Sequence, residues 1–140
     1  MKVKEWLQHG RNLNLEVQEL KLAKEKAYAV AVNAISKANP DKVQAANGNS
    51  AENKMLKYTQ YSAELDKRIE ELQKYRANML KLIAAISNPI YRIVLLDRYI
   101  NCFSWEDISF KLGKTIRHTY RIHGQALIKA QEHYKKASPK

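Results

Sequence analysis

The spacing of residues over positions 55–86 constrains the fold more than any other feature of this sequence. One stripe recurs at alternating intervals of three and four, and its members are Met55, Tyr58, Ser62, Leu65, Ile69, Leu72, Arg76, Met79, Ile83 and Ile86. This spacing, kept over about four heptads, is typical of a coiled-coil seam along one long helix, predicted here at residues 51–87. The two polar members, Ser62 and Arg76, weaken seam packing but can fix its register.

Another long helix is predicted ahead of this one, over residues 2–38. Its apolar and small residues recur at intervals of three, four or seven: Trp6, Leu13, Val17, Leu20, Ala27, Ala31 and Ala34. That periodicity is typical of a helix with one packed face. The alanines of residues 27–34 make that face narrow, which allows close approach of a second helix. Asn39-Pro40 ends the predicted helix.

A polar connection separates the two long helices. Residues 41–50 include Asn47 and Gly48 and are predicted to form a loop. Asn49 or Ser50 then caps the second long helix, with Glu52 in its first turn. Two helices joined by about ten residues form an antiparallel hairpin. Residues 1–88 are therefore predicted to be a hairpin that serves in oligomerisation or partner binding.

The remaining residues, 89–140, are predicted to form a small helical bundle. Asn88-Pro89 starts a third helix over 89–101, because proline is well tolerated at the first helical position. Its predicted packed face contains Ile93, Leu96 and Ile100, with Val94 beside them. Residues 138–140 are predicted to be a frayed tail. The expected fold class is all-α, a long coiled-coil-like antiparallel hairpin followed by this bundle.

Residues 104–127 are predicted to form a helix-turn-helix within the bundle. Ser104 caps the first helix, and Asp107 supports the cap. Gly113 supplies the left-handed residue that ends this helix, and Thr115 caps the second one. Ile108 and Leu112, one turn apart, face a core. This layout is that of a motif whose second helix enters the major groove of DNA.

Net charge supports a polyanionic partner. The chain carries a formal charge of +11, and residues 89–140 hold ten Lys and Arg against four Asp and Glu. The most basic region is therefore the one with the helix-turn-helix. The single cysteine, Cys102, excludes an internal disulfide framework. No signal peptide or membrane-spanning stretch is visible, so we expect a cytoplasmic protein that makes no membrane contact.

The second helix of the motif divides into two faces. Its packed face is predicted to contain Thr119, Tyr120, His123, Ala126, Leu127, Ala130 and Tyr134. The predicted DNA-binding residues are Lys114, Thr115, Arg117, His118, Arg121, Gln125 and Lys129. Arginine can bind guanine through two hydrogen bonds, and glutamine can bind adenine in the same way. Lys114 and Lys129 would lie near phosphates, which contribute affinity without sequence information. The alternative is an ordinary solvated polar face.

No other kind of site is predicted. Cys102, His118, His123 and His133 lack the spacing of a metal site. His123, on the apolar side of its helix, is expected to be a packed and hydrogen-bonded histidine. We find no candidate catalytic serine, phosphate-binding glycine loop or carboxylate pair, and we expect neither a cofactor nor enzymatic activity.

Two segments of the bundle resemble a known family. Residues 95–108, with Arg98-Tyr99-Ile100 and Ser104-Trp105-Glu106-Asp107-Ile108, and residues 120–127, which begin Tyr120-Arg121-Ile122-His123, are similar to phage and prophage transcriptional regulators of Gram-positive bacteria. These regulators, the ArpU/RinA-type late-gene activators, look like region four of a sigma factor. The start at residues 4–7, Lys-Glu-Trp-Leu, is similar as well. In two departures, Lys114 replaces an apolar residue and Thr119 replaces valine.

The resemblance implies a role in transcription. Region four reads the −35 promoter element, which implies a similar role for Arg117, His118, Arg121 and Gln125. Since such a module alone cannot open DNA, the expected partners are double-stranded DNA and either RNA polymerase or a second copy of the chain. Met55, Leu56, Leu80 and Leu82 form an exposed flank of the second long helix, which either the C-terminal bundle or a second protomer can cover. We favour a homodimer held by the long helices.

Two alternatives remain open at this stage. One is the DNA-recognition small subunit of a phage packaging terminase, which also couples a helix-turn-helix to an oligomerising coil. The other is a helical interaction protein whose basic face binds an acidic partner rather than DNA. A ring-sized mass would favour the first, and failure to bind duplex DNA at physiological salt would favour the second.

Overall fold

The computed structural model describes residues 2–37 and 45–137, and every element in that part of the chain is helical. The helices are α1 (Val3–Ser36), α2 (Ala45–Ala84), α3 (Pro89–Leu95), α4 (Trp105–Leu112) and α5 (Ile116–Ala137), with a π-helical turn at Leu96–Ile100 after α3. The all-α prediction is confirmed. The predicted helix end at Asn39-Pro40, the loop residues 41–44 and the tail 138–140 lie outside the described residues.

The start of α2 corrects one prediction. The helix begins at Ala45, so residues 45–50 are helical rather than loop, and neither Asn49 nor Ser50 is the cap. Extending a helix that has already nucleated adds one hydrogen bond per residue, whereas starting one is costly. Asn and Gly are less favourable than Ala in a helix by only about 0.5–1 kcal/mol each. Their presence alone therefore does not stop a long helix.

The chain divides into two compact units. The bundle unit contains Met1–Leu15 and Glu71–Lys140, and the hairpin unit contains Glu16–Glu70. Compactness thus divides the chain within α1 and α2 rather than at residue 88. The expected division by role, a hairpin for association and a C-terminal part for DNA, stays a prediction.

In the hairpin unit, α1 and α2 pack antiparallel along a thin seam. The Arg68 Nε lies 3.0 Å from the Glu16 Oε1, and the rings of Tyr28 and Tyr58 are 5.3 Å apart. The fully buried apolar side chains of its described part are few: Val17, Ala31 and Leu65. All described members of the predicted α2 stripe are buried or half-buried here, in agreement with the periodicity.

The bundle unit has a larger core. Its main cluster consists of Val3, Leu7, Met79, Leu82, Ile83, Ile86, Leu95, Tyr99, Ala126 and Ala130. The beginning of α1 and the end of α2 approach closely, because a Cβ on Gly10 would overlap the sulfur of Met79. Leu82, expected on an exposed flank, is buried in this core, whereas Leu56 and Leu80 remain exposed.

Arg76, the polar residue of the seam, has a specific partner in the bundle unit. Its Nη2 donates to the Asn14 Oδ1 at 3.0 Å. The Asn14 Nδ2 in turn donates to the Ile100 carbonyl at 3.4 Å and to the Cys102 Sγ at 2.9 Å. This chain of bonds fixes the register of α1 against α2 and connects both to the bend before α4.

The third helix packs through a broader face than the one predicted. Asn88 caps α3 through its side chain, with Pro89 in the first turn, as expected. After α3 the helical hydrogen bonds span one more residue. The Asn101 N–H donates to the Leu96 carbonyl at 2.9 Å, which is the i→i+5 pattern of a π turn. Val94 and Leu95 are buried ahead of this turn, and Asp97 and Tyr99 are buried within it. The predicted face of Ile93, Leu96 and Ile100 is half-buried, and its last two members pack against the main core cluster.

Candidate nucleic-acid interface

The α4 helix and its turn follow the prediction closely. The Ser104 Oγ accepts from the Asp107 N–H at 3.1 Å and so caps α4. Gly113 ends the helix at φ 66° and ψ 32°, the left-handed conformation in which a side chain would be strained. The Lys114 N–H donates back to the Ser109 carbonyl at 3.0 Å. These bonds fix the direction in which the chain leaves α4.

Thr115 starts α5 in a defined geometry. Its Oγ1 accepts from the His118 N–H at 3.1 Å, and its carbonyl accepts from the Thr119 Oγ1 at 2.9 Å. Thr119 is fully buried, so an unpaired hydroxyl there would be costly. That hydroxyl is hydrogen-bonded within the first turn of α5. Threonine is therefore accommodated at a position where the regulators that the sequence resembles have valine.

One face of α5 packs into the bundle unit. Ile122 packs with Val94 and Ile108, and Ala126 and Ala130 belong to the main core cluster. The two alanines are fully buried, which brings the α5 backbone close to its neighbours. Tyr120, predicted on this packed face, is 48% exposed, and its ring lies 5.1 Å from that of Trp105 in an edge-to-face arrangement.

His123 is a packed histidine, as expected. Its Nε2 lies 2.7 Å from the Tyr99 hydroxyl, and its ring centroid lies 4.6 Å from that of Trp105. Burial, with smaller contributions from Lys4 and Arg98, lowers the pKa of His123 to about 4. The imidazole is therefore neutral at physiological pH and does not add to the positive charge of the interface.

Two basic residues near the bend serve the fold. The Arg98 guanidinium stacks on the Trp105 ring at 4.5 Å, and its Nη1 donates to the Phe103 carbonyl at 3.2 Å. The Lys111 Nζ lies 3.2 Å from the buried carboxylate of Asp97. Both contacts hold α4 against the end of the π turn. The Lys111–Asp97 pair adds no net charge, so the excess positive charge of the region comes from its other basic residues.

All seven predicted DNA-binding residues are exposed. Lys114 lies in the turn, Thr115 at the start of α5, and the others follow along the outward face of the helix. No Asp or Glu occurs between Thr115 and Gln131. The first acid, Glu132, lies 3.9 Å from the Lys129 Nζ. The structure therefore places these residues together on one basic surface, and their role in DNA binding stays a prediction.

Gln125 has a partner that the sequence did not indicate. The Tyr91 hydroxyl of α3 donates to the Gln125 Oε1 at 3.0 Å. This bond fixes the orientation of the amide at the edge of the basic face. The two residues are 34 positions apart, so no local periodicity could have paired them.

Two further residues of the outward face were overlooked. Gly124 and Ile128 continue the line of Arg117 and Arg121 at intervals of three and four, so the same helical count could have found them. The Ile128 side chain is 63% exposed. Gly124 is exposed as well, in the interior of a helix, where glycine destabilises by about 0.5–1 kcal/mol relative to alanine.

A metal site and a membrane-spanning helix were also considered for the described part of the chain. Residues 2–37 and 45–137 contain no group of three or more His, Cys, Asp or Glu side chains that could hold a metal ion. None of the helices within these ranges is long and apolar enough to cross a membrane.

Comparisons with known proteins give no match among family models, curated proteins or solved structures. The resemblance to sigma region four thus stays a prediction from the residues that carry it. The geometry of α4, the turn and α5 is the physical basis on which a function can be proposed.

Proposed function

We propose that this chain is a sequence-specific duplex-DNA-binding regulator of phage or prophage transcription, with a binding role rather than a catalytic one. The supporting observation is the basic face of α5, which has no acid before Glu132 and follows a capped helix and a glycine turn. A helix held in this way suits insertion into the major groove, where base edges are distinguishable. Its place of action would be the cytoplasm.

The proposal gives the exposed residues different tasks. Arg117 and Arg121 bind guanine edges, with His118 between them. Gln125, oriented by Tyr91, binds adenine. The remaining residues, Lys114, Thr115 and Lys129, lie near phosphates and set position and affinity.

Selection of bound duplexes from a random pool tests the proposal directly. Arg117→Ala or Arg121→Ala should lose about 1–3 kcal/mol of binding free energy on the selected site and relax sequence choice at one position. Lys67→Ala removes an exposed charge from the hairpin unit and is the matched control. If both arginine variants bound the site as tightly as the control, α5 would not be the recognition helix.

We also propose that the regulator acts through RNA polymerase, since a module resembling region four has no means of opening DNA. Transcription in vitro from a promoter that contains the selected site checks this step. A changed transcript level with the chain present supports it. Unchanged transcription on DNA to which the chain is bound contradicts it.

The hairpin unit is proposed to associate with a second copy of itself. Tyr28, Val32 and Ile35 form an exposed stripe at intervals of four and three, with exposed fractions of 41–53%. The unit holds nine Lys and Arg against eight Asp and Glu, so two copies meet without strong charge repulsion. Dimerisation would place two recognition helices on half-sites and raise the overall affinity.

Val32→Asp tests this association. A charge on the stripe should convert the dimer to monomer in light scattering at micromolar concentration and reduce cooperative DNA binding. Leu22→Asp, an exposed residue off the stripe, should leave the dimer intact. A wild-type monomer that binds its site fully would contradict the dimer, and a ring-sized mass would favour the packaging subunit.

A further inference from the structure

Gly124 lies in the middle of α5 without a side chain, and the molecule itself gives no reason for this. The helix continues for eight residues before it and thirteen after it. The only glycine with positive φ in the described chain is Gly113, so Gly124 has an ordinary helical backbone. A Cβ built on Gly124 would meet no atom within 4 Å.

The same survey shows what a structural reason would look like. A Cβ on Gly10 would overlap the buried side chain of Met79, so packing explains that glycine. Gly113 is explained by its left-handed backbone. Gly124 has neither constraint, and alanine would favour the helix. Position 124 therefore has room for a side chain in the free chain, and an external contact is one reason for its absence.

The neighbours of Gly124 indicate the kind of partner. Arg117, Arg121, Gly124 and Ile128 form one line along the outward face at intervals of four, three and four. Gly124 is seven residues beyond Arg117, or about 10 Å along the axis at 1.5 Å per residue. The major groove of B-DNA is about 12 Å wide. With Arg117 over the base edges, position 124 falls at the rim of the groove, where phosphates lie.

We propose that the sugar–phosphate backbone of the bound duplex passes directly against the α5 backbone at Gly124. This inference depends on the proposed function and adds the place of closest approach. A side chain at position 124 would hold the duplex away from the helix. Lys129, five residues further along α5, then lies beside the same DNA strand. Gln125 still reaches the groove, because helical side chains lean toward the N-terminus of their helix.

Substitution of Gly124 separates folding from binding. Gly124→Ala should raise the melting temperature of the free chain by a few degrees, since it favours the helix. The same variant should weaken duplex binding by about fivefold or more, because an added group must be accommodated in a close contact. Gly124→Leu should weaken it further. Because contacts with the DNA backbone carry no sequence information, the loss of affinity should be similar on selected and random duplexes.

Two controls make the result decisive. Ala77→Leu adds volume at an exposed position of α2 in the bundle unit and should leave binding unchanged. Arg121→Ala reports on the proposed function. If wild type binds and Arg121→Ala weakens binding while Gly124→Leu does not, this inference is wrong and the proposed function stands. A loss confined to the selected duplex would also overturn it, in favour of a base contact. If wild type binds no duplex, the proposed function fails.

Discussion

The hairpin unit and the bundle unit share the same two long helices but differ in charge and packing. The hairpin unit holds nine basic and eight acidic residues, a net of +1, whereas the bundle unit holds 16 and six, a net of +10. Among the described residues, three of the 18 buried apolar side chains belong to the hairpin unit. One stretch of helix can therefore contribute a thin seam in one unit and a core in the other.

This difference follows from what each helix meets. In the hairpin unit, α1 contacts α2 through small side chains such as Ala31 and through surface pairs such as Arg68 and Glu16. In the bundle unit, α5 adds a further layer, and Val3 and Leu7 become buried. Exposed ion pairs contribute about 0–1 kcal/mol each, so the seam depends on few groups. We expect the bundle unit to be the more stable one.

Matched truncations should show the largest contrast between the units. Truncating a buried leucine lowers the free energy of unfolding by about 2–5 kcal/mol. We expect Leu95→Ala in the bundle core to fall near the top of this range and Leu65→Ala in the seam near the bottom. The reason is that a two-helix seam can collapse around a small cavity, whereas a core enclosed by several helices cannot. Urea unfolding followed by circular dichroism measures both. Equal costs would mean that the seam is as rigid as the core.

Acid should weaken the bundle unit through His123. The pKa of this histidine is lowered from 6.5 to about 4 on folding, so the unfolded chain binds one more proton between those values. The free energy of unfolding is therefore highest above pH 6.5. It falls by about 3 kcal/mol as the pH is lowered toward 4. Unfolding free energies measured across this range check the slope.

Two variants test whether the burial of His123 causes this pH dependence of the unfolding free energy. His123→Gln should remove it, because no group then titrates at that position. Tyr99→Phe should retain it, because burial rather than the hydrogen bond is the main cause of the lowered pKa. A slope that persists in His123→Gln would trace the acid sensitivity to another group.

The charge contrast predicts the smallest effect, on the salt dependence of DNA binding. Lys129→Ala should weaken binding to all duplexes alike by about 1 kcal/mol or less and reduce the slope of log K against log salt by about one. Lys57→Ala, an exposed lysine of the hairpin unit, should change neither. Titrations at several salt concentrations compare them. Equal changes in both variants would place the hairpin unit on the DNA.

Local periodicity predicted much of this fold. The α2 stripe, the Ser104 cap, the Gly113 turn and the Thr115 cap are all present. The burial of Asp97 and Tyr99 was missed, because the π turn that contains them leaves no signal in the spacing. The extension of α2 to Ala45 was missed because local propensity yields to propagation of a long helix.

The sequence predicts which residues of α5 face outward, but not the hydrogen bonds that hold the candidate interface in place. Exposure of Arg117, Arg121 and their neighbours follows from a helical count. The bonds of Tyr91 to Gln125 and of Arg76 to Asn14 join residues 34 and 62 positions apart. Pairs so distant depend on the tertiary fold, which no short pattern encodes.

The discontinuous build of the bundle unit has a consequence for its synthesis. Val3 and Leu7, which are synthesised well before α5, pack with Ala126 and Ala130. The Val3 N–H also donates to the Gln131 Oε1 at 2.9 Å, across 128 positions. The contacts within the hairpin unit, by contrast, become available as soon as residue 70 has emerged. Until α5 emerges, the apolar side chains of Val3 and Leu7 therefore lack these partners, and an exposed apolar surface of this kind is one that chaperones bind.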